Sequence, residues 1–190
     1  MTNRRLAFTT FAIMKAPYGS PEVKGFEDRT PDVFREAENA QGFIARAVEI
    51  DARHDLTNFE RDWGPWGVFA VPSFYDGGRT TLTDTRASTL SIWRDVTSVR
   101  NFATSGLHLQ ALQNRARWFR RPTWPSYAMW WVDAQHVPTW SEASARLEHL
   151  HSHGPTVVAF NFSNSFDAEG RLEPGSRTDQ SPSELGYDRL

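Results

Sequence analysis

His108 is the residue of this chain best placed to do chemistry. It follows a helix break at Ser105-Gly106 and stands among large rings: Trp93 and Phe102 before it, Trp118 and Trp130 after it. An imidazole near its unperturbed pKa of about 6.5 can accept or donate a proton at neutral pH. His108, Ala111, Leu112 and Arg115 fall on one helical face, at spacings of three, four and seven residues from the histidine. A single polar reactive group among rings suits an enclosed apolar pocket. The same imidazole bonded to a backbone carbonyl would suit a packed core equally well.

The candidate pocket walls are Trp93, Phe102, Trp118 and Trp130, which would hold an aromatic ligand by stacking and apolar burial. Trp130 and Trp131 are adjacent on an expected strand, so only one of them can line a given pocket. Arg115 is the candidate anchor for a carboxylate or phenolate. It belongs to a basic cluster with Arg117, Arg120 and Arg121, which as a solvated helix end would also complement the helix dipole.

His149, His151 and His153 invite a metal reading, since His149 and His153 are i,i+4. No HExxH motif accompanies them, and histidines suit the C-terminal end of a helix without any metal, so no metal is expected. Glycine-rich phosphate loops, the G-x-S-x-G elbow and the dinucleotide fingerprint are all absent, which disfavours nucleotide-dependent and α/β-hydrolase chemistry.

Composition narrows the class. With 190 residues the chain is long enough to bury one real core. Eight Trp and 13 Phe concentrate rings in a core, a cleft or an interface. The net charge of −2 offers no general attraction for polyphosphates, so no nucleic-acid partner is expected. Without cysteine there are no disulfides and no thiolate chemistry. No apolar run approaches a membrane span or a signal peptide, so a cytoplasmic location is the expectation.

The elements that must position His108 follow from periodicity. Residues 6–13 and 43–50 read as strands, with a helix between them over 21–41 that restarts at Thr30-Pro31, Thr30 as its cap. Residues 51–86 are rich in turn chemistry and form an irregular insert, either a lid or a cover for the sheet. Residues 87–93 are the third strand, Asp95 caps a helix, a second helical piece runs over 107–119, and 127–132 is the fourth strand. The order is strand, helix, strand, strand, helix, strand, an α+β ferredoxin-like split βαβ unit. Thr139-Trp140-Ser141-Glu142 starts a further helix with a capping box, and 157–162 reads as a short final strand. The domain is expected over residues 1–162, with residues 163–190 a polar, mobile tail.

Gly42-Phe43, Leu90-Ser91-Ile92-Trp93, Phe102, His108, Arg117-Trp118-Phe119, Trp130-Trp131-Val132, residues 146–150 and Gly154-Pro155-Thr156 together resemble the DUF3291 family of the dimeric α/β-barrel superfamily. The resemblance implies two units pairing their sheets into a barrel, each keeping a pocket between sheet and helices. A sheet with helices on one face only would leave its other face open, which also argues for a homodimer. Relatives include antibiotic-biosynthesis monooxygenases, small polyketide cyclases and heme-degrading enzymes. In the last group a histidine in a similar Ser-x-x-His context ligates iron.

The expectation is a homodimeric enzyme acting on a hydrophobic aromatic or polyketide-like small molecule, as a cofactor-independent monooxygenase, cyclase or isomerase. One alternative is a heme protein with His108 as axial ligand. Another is a non-catalytic binding or structural dimer.

Overall fold

The computed structural model describes residues 3–51, 53 and 56–174. Strand β1 (Arg4–Ile13) is followed by the short helix α1 (Lys24–Glu27), helix α2 (Thr30–Glu38) and strand β2 (Phe43–Arg46). Strand β3 (Arg86–Trp93), helices α3 (Val96–Ala103) and α4 (Gly106–Trp118), strand β4 (Tyr127–Asp133) and helix α5 (Trp140–His153) complete the order. The strands form one antiparallel sheet in the order β2-β3-β1-β4. The sequence of elements through β4 is that of the split βαβ unit.

Local chemistry explains the boundaries. Asp95 accepts the Ser98 backbone N–H at 2.7 Å and starts α3. Thr139 and Glu142 exchange side-chain and backbone bonds in a complete capping box that starts α5. Thr30 is the first residue of α2, not its cap; its hydroxyl donates back to the Phe26 carbonyl at 3.0 Å, tying α2 to α1.

The two sheet faces bury different sets of side chains. On the first face, Leu6, Phe8, Trp93 and Met129 pack with Val96, Val99 and Phe102 of α3 and Ala37 of α2. On the second, Ala7, Leu90, Ile92, Trp130 and Val132 pack with Trp63, Trp66 and Phe69 of the insert and with Trp140 and Ala143 of α5. Further along that face, Phe11, Ile13 and Ala128 meet Leu147 and Leu150 of α5. The open face that argued for dimerisation is therefore filled by the chain's own α5 and insert.

Other expectations need correction. The second strand stops at Arg46, with one further bond from the Ala47 N–H to the Leu90 carbonyl at 2.8 Å. Among the described residues, that leaves the β2 side of β3 from Ala87 to Thr89 without a partner strand. Residues 157–162 make no strand; Phe160 alone bridges Met129. The expected mobile tail is folded as far as Pro174: Ser165 is buried, Phe166 bridges Leu172, and the Trp131 indole donates to the Phe166 carbonyl at 2.7 Å. The rest of that tail, 175–190, lies outside the described residues.

Candidate functional site

Strand register decides which rings can meet. Leu6 pairs with Trp93 on one side and Trp131 on the other. Trp93 and Trp131 thus share the first face, and the adjacent Trp130 must point away from it. Trp130 is 1% exposed in the second-face core, and it does not line the cavity that Trp93 lines. The expectation that Trp130 forms a pocket wall with Trp93 is corrected by this parity.

That cavity, of about 1050 Å3, lies between the first face and the helices. Its floor is Phe8 and Thr10 of β1, Thr89, Ser91 and Trp93 of β3, and Tyr127 of β4. Its walls include Val33 and Phe34 of α2, Phe102 of α3, and His108, Ala111, Leu112 and Arg115 of α4. Trp118 also lines it, as do Thr57, Trp63 and Trp140.

His108 enters this space at the end of a pile of rings. Phe43 meets Trp93 edge-on at 5.2 Å, Trp93 stacks on Phe102 at 5.3 Å, and Phe102 lies 4.7 Å from the His108 ring. The Trp93 indole is locked by donation to Ser91 Oγ at 2.9 Å, and Ser91 donates to the Phe8 carbonyl at 3.2 Å. The His108 Nδ1 donates to the Ala103 carbonyl at 2.9 Å, so Nδ1 carries the hydrogen and Nε2 the lone pair. Nε2 has no partner among the described residues. Burial pushes the His108 pKa below its ordinary value of 6.5; the Ala103 bond and the nearby Glu36 charge act in the opposite sense. The imidazole is therefore neutral at physiological pH.

Helix α4 is held at that angle by Glu36 of α2. Its carboxylate accepts the Leu107 N–H at 2.9 Å and the His108 N–H at 3.2 Å, capping a helix whose Ser105 offers no side-chain cap. Gly106 makes this possible. Its φ is +53°, and a Cβ there would collide with Glu36 Oε1.

Hydroxyls cross the cavity floor. Tyr127 and Thr89 both pair with Thr10, on opposite sides, and the Thr10 and Thr89 hydroxyls are 2.7 Å apart. The Tyr127 hydroxyl accepts the Phe162 N–H at 3.2 Å, and burial pushes its pKa up to about 12. It therefore stays protonated, with its own hydrogen available to donate.

The remaining candidates are placed as follows. Trp118 is buried, with the Arg29 guanidinium 5.5 Å from its ring, and Phe102 and Arg115 line the cavity. His149 stacks on His153 at 4.5 Å and bonds Thr156 Oγ1 at 2.8 Å, while His151 lies against Phe74. Among the described residues no group of three or more His, Asp or Glu is placed to hold a metal ion. Nor is any described helix long and apolar enough to cross a membrane. Sequence reasoning missed Glu36, whose partners lie about 70 residues away. It also missed the floor hydroxyls, although Thr10, Thr89 and Ser91 share the parity of Phe8 and Trp93 on their strands.

Residues 5–176 match the family described as "Domain of unknown function (DUF3291)". No curated protein matches the chain. The crystal structure of PA3566 from Pseudomonas aeruginosa is similar at 8% identity and a TM-score of 0.39, over 70% of this chain and 96% of that one. The crystal structure of NE2512, a protein of unknown function from Nitrosomonas europaea, is similar at 10% identity and a TM-score of 0.39, over 72% of this chain and 95% of that one. Neither likeness bears on activity.

Proposed function

Because the chain belongs to the DUF3291 family, whose description assigns no activity, we propose from its own site that it is an enzyme acting on a hydrophobic, aromatic or polyketide-like small molecule by proton transfer at His108. Cofactor-independent oxygenation, cyclisation and isomerisation share a first step, removal of an acidic proton next to a carbonyl or an aromatic system. His108 Nε2 would accept that proton. The imidazolium formed would keep its Nδ1–H on the Ala103 carbonyl and feel the Glu36 carboxylate. Tyr127 would donate to the oxygen on which negative charge develops, and Trp93, Phe102 and Trp118 would hold the rings of the substrate. Arg115, on the histidine's helical face, lines the same cavity.

The observation that carries this reading is the neutral imidazole with its Nε2 unpartnered in a ring-lined cavity. Anthrone is a direct probe. Its central methylene is acidic, and its anion reacts with dioxygen to give anthraquinone and water. Wild-type protein is expected to speed dioxygen uptake with anthrone or a hydroxylated anthrone. His108→Ala should keep the wild-type circular dichroism and lose the rate by about a hundredfold or more. Equal rates in the two proteins would remove the mechanism.

A second reading rests on the same nitrogen. A carbonyl-held Nδ1–H is how metal-binding imidazoles are oriented, so His108 Nε2 also fits an axial ligand to heme iron. Bound heme would supply redox chemistry toward dioxygen. A Soret band on adding hemin, lost in His108→Ala, is the result this reading requires. The cavity is lined by a single chain, so neither reading needs a second copy. A homodimer closed as a sheet-to-sheet barrel would require α5 and the insert to leave the second face.

A further inference from the structure

The cavity's charge is out of proportion to the chain's. The whole sequence carries −2, yet the cavity lining contains eight Lys or Arg side chains against two acids, Glu49 and Asp84. Arg46 pairs with Glu38, Arg61 with Glu49, and Arg86 with Asp84. Lys15 and Arg29 have no carboxylate partner among the described residues. Each is held instead by a backbone carbonyl, Lys15 Nζ on Ala116 at 2.6 Å and Arg29 Nη1 on Gly25 at 2.6 Å. Those bonds satisfy one N–H of each cation and fix both at Trp118. The Lys15 backbone N–H donates to the Trp118 carbonyl at 2.8 Å, and the Arg29 guanidinium lies over the Trp118 indole at 5.5 Å. The opposite character holds at the floor, where Thr10, Thr89 and Tyr127 offer hydroxyls and no charge.

Resting on the functional reading above, we propose that the natural ligand is an aromatic anion, bearing a carboxylate or an acidic phenolate that docks between Lys15 and Arg29 while its rings lie along Trp118 and its neutral oxygens face the hydroxyl floor. Cations at the rim can pair with the ligand's charge without being deeply desolvated. A wall of rings supplies the apolar burial. A neutral hydrocarbon of the same shape would leave the rim cations unpaired and gain only the stacking. A cationic ligand would meet repulsion at the mouth. The rim thereby selects charge and the floor selects oxygenation, independently of the chemistry at His108.

Two probes of one shape separate these contributions at pH 7: 2-naphthoate, which is anionic, and 2-naphthol, which is neutral. Binding is read from quenching of tryptophan fluorescence in the full chain. Wild type is expected to bind 2-naphthoate about tenfold or more tightly than 2-naphthol, with a preference that shrinks as salt rises. Lys15→Gln, Arg29→Gln and the double variant change exposed side chains, and should lose the preference while 2-naphthol binding holds. Should 2-naphthol bind as tightly as 2-naphthoate, or the preference survive in the double variant, the anionic ligand is overturned while the proton-transfer reading stands. Should neither compound bind, both fall.

Discussion

A histidine held neutral by burial moves the acid limb of any reaction it performs. With its pKa lowered from 6.5, His108 stays an unprotonated base below the pH at which a solvent-exposed histidine would be half charged. The acid limb of kcat/KM is therefore expected below pH 6.5; a limb above that value would mean another base. The same shift acts on stability. A folded-state pKa below the unfolded one means the unfolded chain binds more protons below pH 6.5, so the folded state weakens as pH falls through that window. Wild type should lose stability relative to His108→Phe as pH falls from 6.5 to the folded pKa, and match its trend above pH 6.5, as read by urea denaturation at each pH. Much of this scale was legible in the sequence. The helix break, the histidine and the rings on either side of it were visible as letters. Trp130 was misassigned because a ring on a strand looks the same whichever way it points; only the register through Leu6 separates it from Trp131.

The contact between α2 and α4 is where local chemistry fixes the site. Gly106→Ala would force a side chain into the left-handed region and into the Glu36 carboxylate. The conformational cost alone is about 1–2 kcal/mol. Loss of the cap on two N–H groups adds about 1 kcal/mol. A drop in the thermal midpoint together with slower turnover is expected, and an unchanged midpoint would show that Glu36 does not hold α4. Glu36→Gln, which keeps an acceptor of the same shape, should cost less. The insert poses the opposite question, lid or core. Trp63 lies 5.1 Å from Trp140 in the second-face core, so Trp63→Ala should cost about 3–5 kcal/mol in chemical denaturation. A mobile lid would lose less than about 1 kcal/mol by the same change. Turn residues announced the irregularity of 51–86, but nothing in them said that three of its rings would fill a sheet face. The α5 capping box, by contrast, was written in Thr139 and Glu142 and formed as read.

At the scale of the molecule, the order of strands and helices along the chain follows from alternation and turn chemistry, which a single sequence displays. What the far side of the sheet meets depends on long-range packing, which it does not. A four-stranded sheet with one open face would need a second copy to cover it. Here the chain covers both faces with its own α5 and insert, and a complete cavity is built from one chain. Sedimentation at micromolar concentration is expected to show that activity and probe binding do not require self-association. Activity that rises with protein concentration in step with dimer formation would contradict this.

The most direct measurement is the titration of the His108 ring itself by long-range 1H–15N NMR, with His108→Ala supplying the assignment. Nδ1 is expected to carry the hydrogen, Nε2 to show a lone-pair shift from pH 8 down past 6.5, and that Nε2 resonance to move when 2-naphthoate or anthrone enters the cavity. An Nε2–H tautomer, a midpoint above 6.5, or a resonance indifferent to both compounds would contradict this.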